Sequence, residues 1–141
     1  MASSPRDDKH FEHSLRHSGL RPTRQRIELA SLLFGDGRDR HVTAEQLYAM
    51  ARGAGKKISR ATVYNALRDF ATKGLVHKIL VDQDQVYFDT NVSEHQHIYF
   101  EDEHRLVDIL LDNCDWQSEV SLPEGTTLER VDVIFRLRRK A

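Results

Sequence analysis

The chain has 141 residues, of which 39% are hydrophobic and 30% are charged, so it can bury a core and suits one domain or two small ones. It contains no apolar run of about 18 residues, as a membrane span would require, and its N-terminal segment lacks the apolar core of a signal peptide. We therefore expect a cytoplasmic protein. The lone cysteine, Cys114, excludes an internal disulfide and a zinc site made from four cysteines of one chain.

Charge is unevenly distributed along the chain. Residues 1–80 carry 15 Lys and Arg against 8 Asp and Glu, whereas residues 81–141 carry 6 against 14. A basic half joined to an acidic half is expected when only the first half meets a polyanion such as nucleic acid. A split of this size also arises by chance, so the charge pattern alone leaves both interpretations open.

A helix is predicted within the first 20 residues, with His10, His13 and His17 along one side. We interpret it as a solvated terminal helix rather than as a metal site.

Three further helices follow from capping residues and apolar spacing. Thr23 is a suitable N-cap for the first, which Gly35 ends. Thr43 and Gln46 match a capping box at the start of the second, and Ser59 caps the third. The apolar residues predicted to face inward are Ile27, Ala30, Leu33, Phe34, Leu47, Met50, Ala51, Val63, Leu67 and Phe70.

The opposite face of the third of these helices combines cations, an aromatic hydroxyl and an amide, with no acid. Its residues are Arg60, Ala61, Tyr64, Asn65 and Arg68. Such a face is typical of contact with nucleic acid, and equally of an ordinary solvated helix.

The segment "LVHKILVDQDQVYFD" then reads as a hairpin, with two β-rich runs around a polar turn. Three helices followed by a hairpin are typical of a winged helix-turn-helix, which lays its recognition helix in the major groove.

The rest of the chain predicts a second, smaller unit. "HQHIYF" and "RLVDILL" are expected to be strands around the turn "EDEH", and "NCDWQSEV" a short helix. Val131, Val133, Phe135 and Leu137 alternate, which predicts a strand with one buried face. The fold class is therefore α+β: a winged-helix DNA-binding domain at 1–89, a hinge at 90–94 and an α/β dimerisation domain at 95–141. Because this core is thin, we expect a second copy to complete it.

Candidate metal ligands collect near the predicted hinge. Asp89 closes the predicted wing, and His95 and His97 share a face of the next strand. Asp108 lies on the strand predicted to pair with that strand, and His41 lies in the loop before the second capped helix. Three imidazoles and two carboxylates suit Fe, Mn or Zn, although a His-x-His pair also fits the polar face of an ordinary strand. Gln96 should point away from the ligands and tolerate substitution.

No catalytic constellation stands out. The chain lacks a Gly-rich phosphate loop, and Cys114 has no nucleophile motif around it. We expect a protein that is not an enzyme. The rival from another class is a metal carrier or small metalloenzyme without DNA binding.

Four motifs in order carry a resemblance to a known family. "SGLRPTRQR", "HVTAEQLY", "ATVYNAL" and "FDTNVSEHQH" are similar to motifs of the ferric uptake regulator superfamily, from about residue 14 to the end. "YFDTNVSEHQHIYFEDEHRLVDI" and the terminal "VDVIFRLRRK" resemble its iron response regulator branch. The resemblance implies a homodimeric transcription factor that binds double-stranded operator DNA through a winged helix.

The resemblance also implies roles for individual residues. The family's hinge metal site falls on the same five residues that spacing selects. DNA contacts fall on Arg21 and Arg24, which would anchor phosphates, and on the recognition helix. The helix residues implied are Arg60, Ala61, Thr62, Tyr64, Asn65 and Arg68.

Two departures from the family pattern narrow the expected function. Many members of the family bind a structural zinc through two pairs of cysteines. The first pair would fall at Phe100 and Glu103, which are not cysteines, so we expect no structural zinc, as in the iron response regulator branch. A Cys-Pro haem motif is also missing, because Asp115 follows Cys114. The branch then implies haem sensing at His95 and His97, since haem iron accepts a His axial ligand.

The expected function is therefore an iron- and haem-responsive regulator of iron and haem metabolism genes, active mainly when iron is scarce and released from DNA by haem. A metal-activated repressor and a peroxide sensor of the same fold are the alternatives.

Overall fold

The computed structural model describes residues 7–111 and 116–140. It divides into two compact units, with the boundary between Val92 and Ser93, inside the segment predicted as a linker. Each unit contains its own three-stranded sheet. Within the described ranges, no helix is long and apolar enough to cross a membrane.

The first unit combines helices with a small sheet. Its elements are α1 (Asp8–His17), α2 (Arg24–Phe34), β1 (His41–Val42), α3 (Ala44–Gly53), α4 (Arg60–Thr72), β2 (His77–Asp82) and β3 (Gln85–Asp89). Helices α2 to α4 followed by the β2–β3 hairpin form a winged helix-turn-helix, as the sequence predicted.

The predicted helix caps are confirmed. The side chains of Thr23, Thr43 and Ser59 each accept a hydrogen bond from the backbone N–H three residues further on. The Gln46 side chain completes the capping box by accepting from the N–H of Thr43. After α4, Gly74 adopts a φ of 75°, a left-handed conformation that costs glycine little. These local signals need no tertiary contacts, which is why the sequence reveals them.

The core of the first unit contains most of the predicted inward-facing residues. Seven of the ten are buried, and Ile27, Phe34 and Met50 pack against the core while only partly buried. Leu29 was missed and is fully buried. Phe11 and Leu15 anchor α1 to the same core, so the interpretation of α1 as merely solvated is wrong for that face.

The sheet of the first unit contains one strand that the sequence did not predict. The region of His41 was expected to be a loop, but β1 pairs with β3 in the order β1-β3-β2. A two-residue strand has no alternation to detect, so only the pairing with β3 defines it.

The second unit is a thin sheet with one short helix in its described part. Its elements are β4 (Gln96–Phe100), β5 (Arg105–Ile109), α5 (Trp116–Glu119) and β6 (Ile134–Leu137). β4 pairs with β5 antiparallel and with β6 parallel, and the predicted turn "EDEH" joins β4 to β5. Cys114 lies outside the described residues.

The prediction for the terminal strand is wrong in one respect. Val131 and Val133 precede β6, and Phe135 and Leu137 within it are 42% and 41% exposed. In the described part of this unit, the buried apolar side chains are those of Tyr99 and Leu106. So few side chains leave one face of the sheet open in the single chain.

Candidate metal centre and nucleic-acid interface

Within the first unit, strand pairing brings His41 to Asp89. The two residues lie directly opposite each other on β1 and β3, and His41 Nε2 is 3.7 Å from Asp89 Oδ2. The Asp89 side chain is buried, and its Oδ1 accepts a hydrogen bond from the N–H of Asn91 at 2.9 Å. One carboxylate oxygen is thus held by the backbone, while the other faces an imidazole.

Within the second unit, two histidines converge on one carboxylate. His97 on β4 lies opposite Asp108 on β5, and His95 immediately precedes β4. The Nε2 atoms of both histidines lie 3.2 Å from the same oxygen, Asp108 Oδ1. The two rings are 4.6 Å apart between centroids. The side chains of both histidines are more than 90% buried.

The hydrogen bonding of His95 suits a metal ligand. Its Nδ1 lies 2.7 Å from the carbonyl oxygen of Ser93, and because a carbonyl can only accept, Nδ1 carries the proton. Nε2 faces the Asp108 carboxylate at 3.2 Å, a contact that either a proton on Nε2 or a bound cation satisfies. Metal-binding histidines commonly donate their other N–H to a backbone carbonyl in this way. The residues of this triad therefore fit a divalent cation.

The ligand chemistry narrows the metals that fit. Each unit offers imidazole nitrogen and carboxylate oxygen, and Cys114, the one thiol of the chain, lies outside the described residues. Such a set suits a borderline cation such as Fe, Mn or Zn. Within its own unit, the structure thus brings His41 to Asp89, and His95 and His97 to Asp108.

His77 occupies a position that sequence reasoning missed. It was not among the five predicted metal ligands, but it pairs with Asp89 from the β2 side, opposite the pairing with His41. Residues directly opposite on neighbouring strands share a sheet face. This placement depends on the hairpin register, which the "DQDQ" turn and the irregularity between Leu80 and Asp82 determine.

Gln96 is buried and makes a side-chain contact that the sequence did not predict. Alternation along β4 directs it away from the face of His97, yet it is only 5% exposed. Its side-chain oxygen accepts a hydrogen bond from the N–H of Leu111 at 2.9 Å. Gln96 thereby ties the chain after β5 to β4, and this contact argues against the expected tolerance of substitution.

The recognition helix presents an exposed polar face beside the wing. Ala61, Tyr64, Asn65 and Arg68 are all exposed. A cleft of about 190 Å³ lies between α4 and the hairpin, and its lining residues are Tyr64, Arg68, Ala71, Thr72, Lys78 and Phe88. Two cations beside two hydroxyl groups suit a phosphate. Sequence reasoning missed Lys78, a cation on the exposed side of the wing strand β2.

Two predicted DNA-contact residues also have partners within the protein. Arg60 Nε lies 3.1 Å from a carboxylate oxygen of Glu45, and its guanidinium lies over the Tyr48 ring at 4.5 Å. Arg60 thus braces α4 against α3. The hydroxyl of Thr62 accepts a hydrogen bond from the Ser59 hydroxyl at 2.9 Å, so it belongs to the helix cap.

The predicted phosphate anchors lie at the start of α2. Arg21 is exposed, and the Arg24 side chain is 89% exposed while it pairs with Glu28 at 3.2 Å. Arg26, which was not predicted to have a role, binds Asp69 at 2.8 Å and links α2 to α4.

A winged helix joined to a small sheet unit rich in imidazole and carboxylate ligands defines a class of metal-responsive DNA-binding proteins. The ferric uptake regulator family model matches residues 17–136, and the chain belongs to that family. Members of the family are transcriptional regulators and not enzymes, as the sequence predicted for this chain.

Comparison with individual proteins agrees with the family assignment. The chain is 35% identical over 95 residues to the peroxide-responsive repressor PerR of Staphylococcus aureus, a match that covers 67% of this chain and 63% of that protein. The chain thus spans less than two thirds of that relative's length.

Among solved structures, the ferric uptake regulator of Pseudomonas aeruginosa with manganese has 26% identity and a TM-score of 0.72, covering 93% of this chain and 98% of that one. The peroxide stress regulator of Campylobacter jejuni shares the fold, with a TM-score of 0.64 at 19% identity over 94% of this chain and 96% of that one.

Proposed function

We propose that this chain is a metal-responsive, DNA-binding transcriptional regulator that acts as a cytoplasmic homodimer. The observation that carries the proposal is the triad in which His95 and His97 direct Nε2 at one oxygen of Asp108. This triad follows a winged helix in a chain of the ferric uptake regulator family. When bound, the metal would supply positive charge that holds these side chains together.

We further propose that the two ligand groups share one metal at the hinge. Asp89 and His95 are six positions apart, so chain length alone keeps their Cα atoms within about 22 Å. A cation bound by His41 and Asp89 together with the triad would limit the relative motion of the two units. In a dimer this restricts the spacing of the two α4 helices, on which recognition of two half-sites depends.

The proposed effector is iron status, sensed through haem. Support comes from the resemblance of residues 87–109 to the iron response regulator branch, and from the adjacent imidazoles of His95 and His97. Haem iron accepts a histidine ligand, so haem would compete with the hinge metal for the same nitrogens. The chain would then bind operators of iron and haem metabolism genes when iron is scarce, and haem would release it.

A second candidate is a metal-activated repressor that responds to peroxide. The 35% identity to a peroxide-responsive repressor favours it. The two candidates differ in the sign of the metal effect, because metal occupancy promotes DNA binding in the second. Haem has no role in it.

One experiment separates the candidates. Operator binding by the full-length protein is measured during titrations with Mn²⁺, Fe²⁺ and haem, with and without peroxide. The haem-sensing proposal predicts release by haem that is lost in His95→Ala/His97→Ala while the dimer persists. Release that is unchanged in this variant contradicts haem sensing. Metal-dependent binding that peroxide abolishes supports the second candidate, and absence of DNA binding under every condition supports a metal carrier.

The shared hinge metal has its own test. We expect His41→Ala and His97→Ala each to weaken Mn²⁺ binding, measured by calorimetry, whereas His104→Ala serves as a matched histidine control from an exposed turn. If His41→Ala leaves Mn²⁺ affinity unchanged while His97→Ala weakens it, the metal belongs to the second unit alone.

The cleft beside α4 gives a test of DNA contact. Lys78→Ala should weaken binding to all sequences alike and reduce the salt slope by about 1, because one phosphate contact is lost. Asn65→Ala should instead change discrimination between bases by roughly 1–3 kcal/mol. Lys73→Ala, which removes an exposed cation outside the cleft lining, is the control. A sequence-dependent effect of Lys78→Ala contradicts a phosphate role.

A further inference from the structure

The exposed face of α1 carries three histidines that the proposed function does not use. His10, His13 and His17 lie at positions i, i+3 and i+7, and all three are exposed. At 3.6 residues per turn, this spacing places them on one stripe. Phe11 and Leu15, on another face, are 3% and 1% exposed, so a buried anchor holds the helix that presents the histidines.

His13 and His17 are already arranged side by side. Their ring centroids are 6.3 Å apart, and the ring planes differ by 18°. Side chains at i and i+4 are neighbours on a helix surface. Two histidines at this spacing are also how helices present a pair of zinc ligands. A small rotation of each side chain therefore brings one nitrogen from each ring to a single cation.

The surroundings favour a bound cation. Arg16, which precedes His17 on the same helix, is paired with Glu12 at 3.1 Å, and this pairing offsets its repulsion of a metal. The side chain of Asp7 caps the helix by accepting from the N–H of His10, so the first turn is held in place. His10 contacts the Phe11 ring edge-on, with ring centroids 5.3 Å apart, and joins the pair only after its side chain turns.

We propose that His13 and His17 chelate a divalent late transition metal, with His10 as an accessory ligand and water completing the coordination. Imidazole nitrogens suit Cu²⁺, Ni²⁺ and Zn²⁺, and the general order of affinities places Cu²⁺ first. This site lies on α1 and involves no residue of the hinge proposal, so either proposal stands if the other fails.

The test is a Cu²⁺ titration of the full-length protein, followed by calorimetry and by NMR of the histidine side chains. Substoichiometric Cu²⁺ should broaden the signals of His13 and His17. The His13→Ala/His17→Ala variant should bind one equivalent of Cu²⁺ per chain less than the wild type. Both positions are exposed and alanine favours helix, so the variant should remain folded, which circular dichroism checks.

A relocation variant controls for histidine count. His13→Ala/Lys9→His keeps three histidines on α1 but leaves no pair at i, i+4. This variant should also bind one equivalent of Cu²⁺ per chain less than the wild type. His10→Ala should bind as many equivalents of Cu²⁺ as the wild type, with reduced affinity at this site. If the double alanine variant binds as many equivalents as the wild type, or the relocation variant retains full binding, the proposal is overturned.

Discussion

Different forces stabilise each of the two units of this chain. In the first, the helices α1 to α4 and strand β3 enclose a continuous apolar core in which Leu29, Leu33, Leu47 and Leu67 are fully buried. Among the described residues of the second, few apolar side chains are buried, and Leu110 is 72% exposed. The first unit therefore depends mainly on apolar burial, whereas the second needs other stabilising contacts.

Ion pairs supply part of those contacts. Acids of the β4–β5 turn bind arginines at the C-terminal end: Glu101 pairs with Arg138 at 2.6 Å and with Arg136 at 3.4 Å, and Glu103 pairs with Arg139. The hydrogen bond from Arg138 holds the pKa of Glu101 below its usual value, and that from Arg139 does the same to the pKa of Glu103. The first unit thus has a continuous apolar core of its own, whereas ion pairs contribute to the described part of the second.

The largest expected effect tests the core of the first unit. Leu67 is fully buried, so Leu67→Ala should lower the free energy of unfolding by about 2–5 kcal/mol through lost burial and a residual cavity. Leu80→Ala, at a wing position that is 62% exposed, should change it by less than about 0.5 kcal/mol. Urea denaturation measures both. Equal losses would contradict the assigned core.

Metal removal sharpens the contrast between the units. Saturation at 100 times the Kd stabilises a folded protein by about 2.7 kcal/mol, so a chelator should destabilise the chain by a comparable amount. Hydrogen exchange should rise most in β4 and β5, which carry His97 and Asp108. The amides of α2 and α4 should change little. A uniform rise over both units would mean that the metal does not act locally.

Gln96→Ala probes the polar core of the second unit. The change removes the acceptor for the N–H of Leu111 and should cost about 1–3 kcal/mol, because a donor loses its partner. Thr127→Ala, at an exposed position of the same unit, is a suitable control. Wild-type thermal stability in Gln96→Ala would restore the original expectation of tolerance.

The smallest expected effect concerns the exposed ion pairs. Glu101→Gln should lower thermal stability slightly at neutral pH, and high salt should reduce the difference by screening. The folded pKa of Glu101 lies below its usual 4.5, so its contribution is fully present above that pH. It is lost as pH falls through the folded value. Melting curves of both proteins should therefore converge in acid, and a difference that grows there would contradict the ion-pair explanation.

Local patterns explain why much of the first unit was predictable. Thr23, Thr43 and Ser59 act on backbone groups three residues away, and helical spacing selected Val63, Leu67 and Phe70, which are buried. Such features depend on the nearest neighbours along the chain. β1 was missed for the opposite reason, because its two residues pair with β3 more than 40 positions later.

The same distinction applies to the candidate site. Residue type and spacing, together with the ordered motifs, selected five metal ligands. They did not indicate that Asp108 contacts both His95 and His97, that His77 lies opposite Asp89, or that Lys78 lines the cleft beside Tyr64. Each of these depends on strand register or on the packing of a helix against a hairpin.

The sequence by itself determined the α+β class, the helix boundaries, the winged-helix order and the family. All of these follow from local propensity, periodicity and ordered motifs. The tertiary structure decided which polar side chains share an environment: Gln96 became a buried structural contact, Arg60 a brace on Tyr48, and Phe135 an exposed residue. The physical reason is that a side chain's surroundings depend on residues distant along the chain, and only folding brings those residues together.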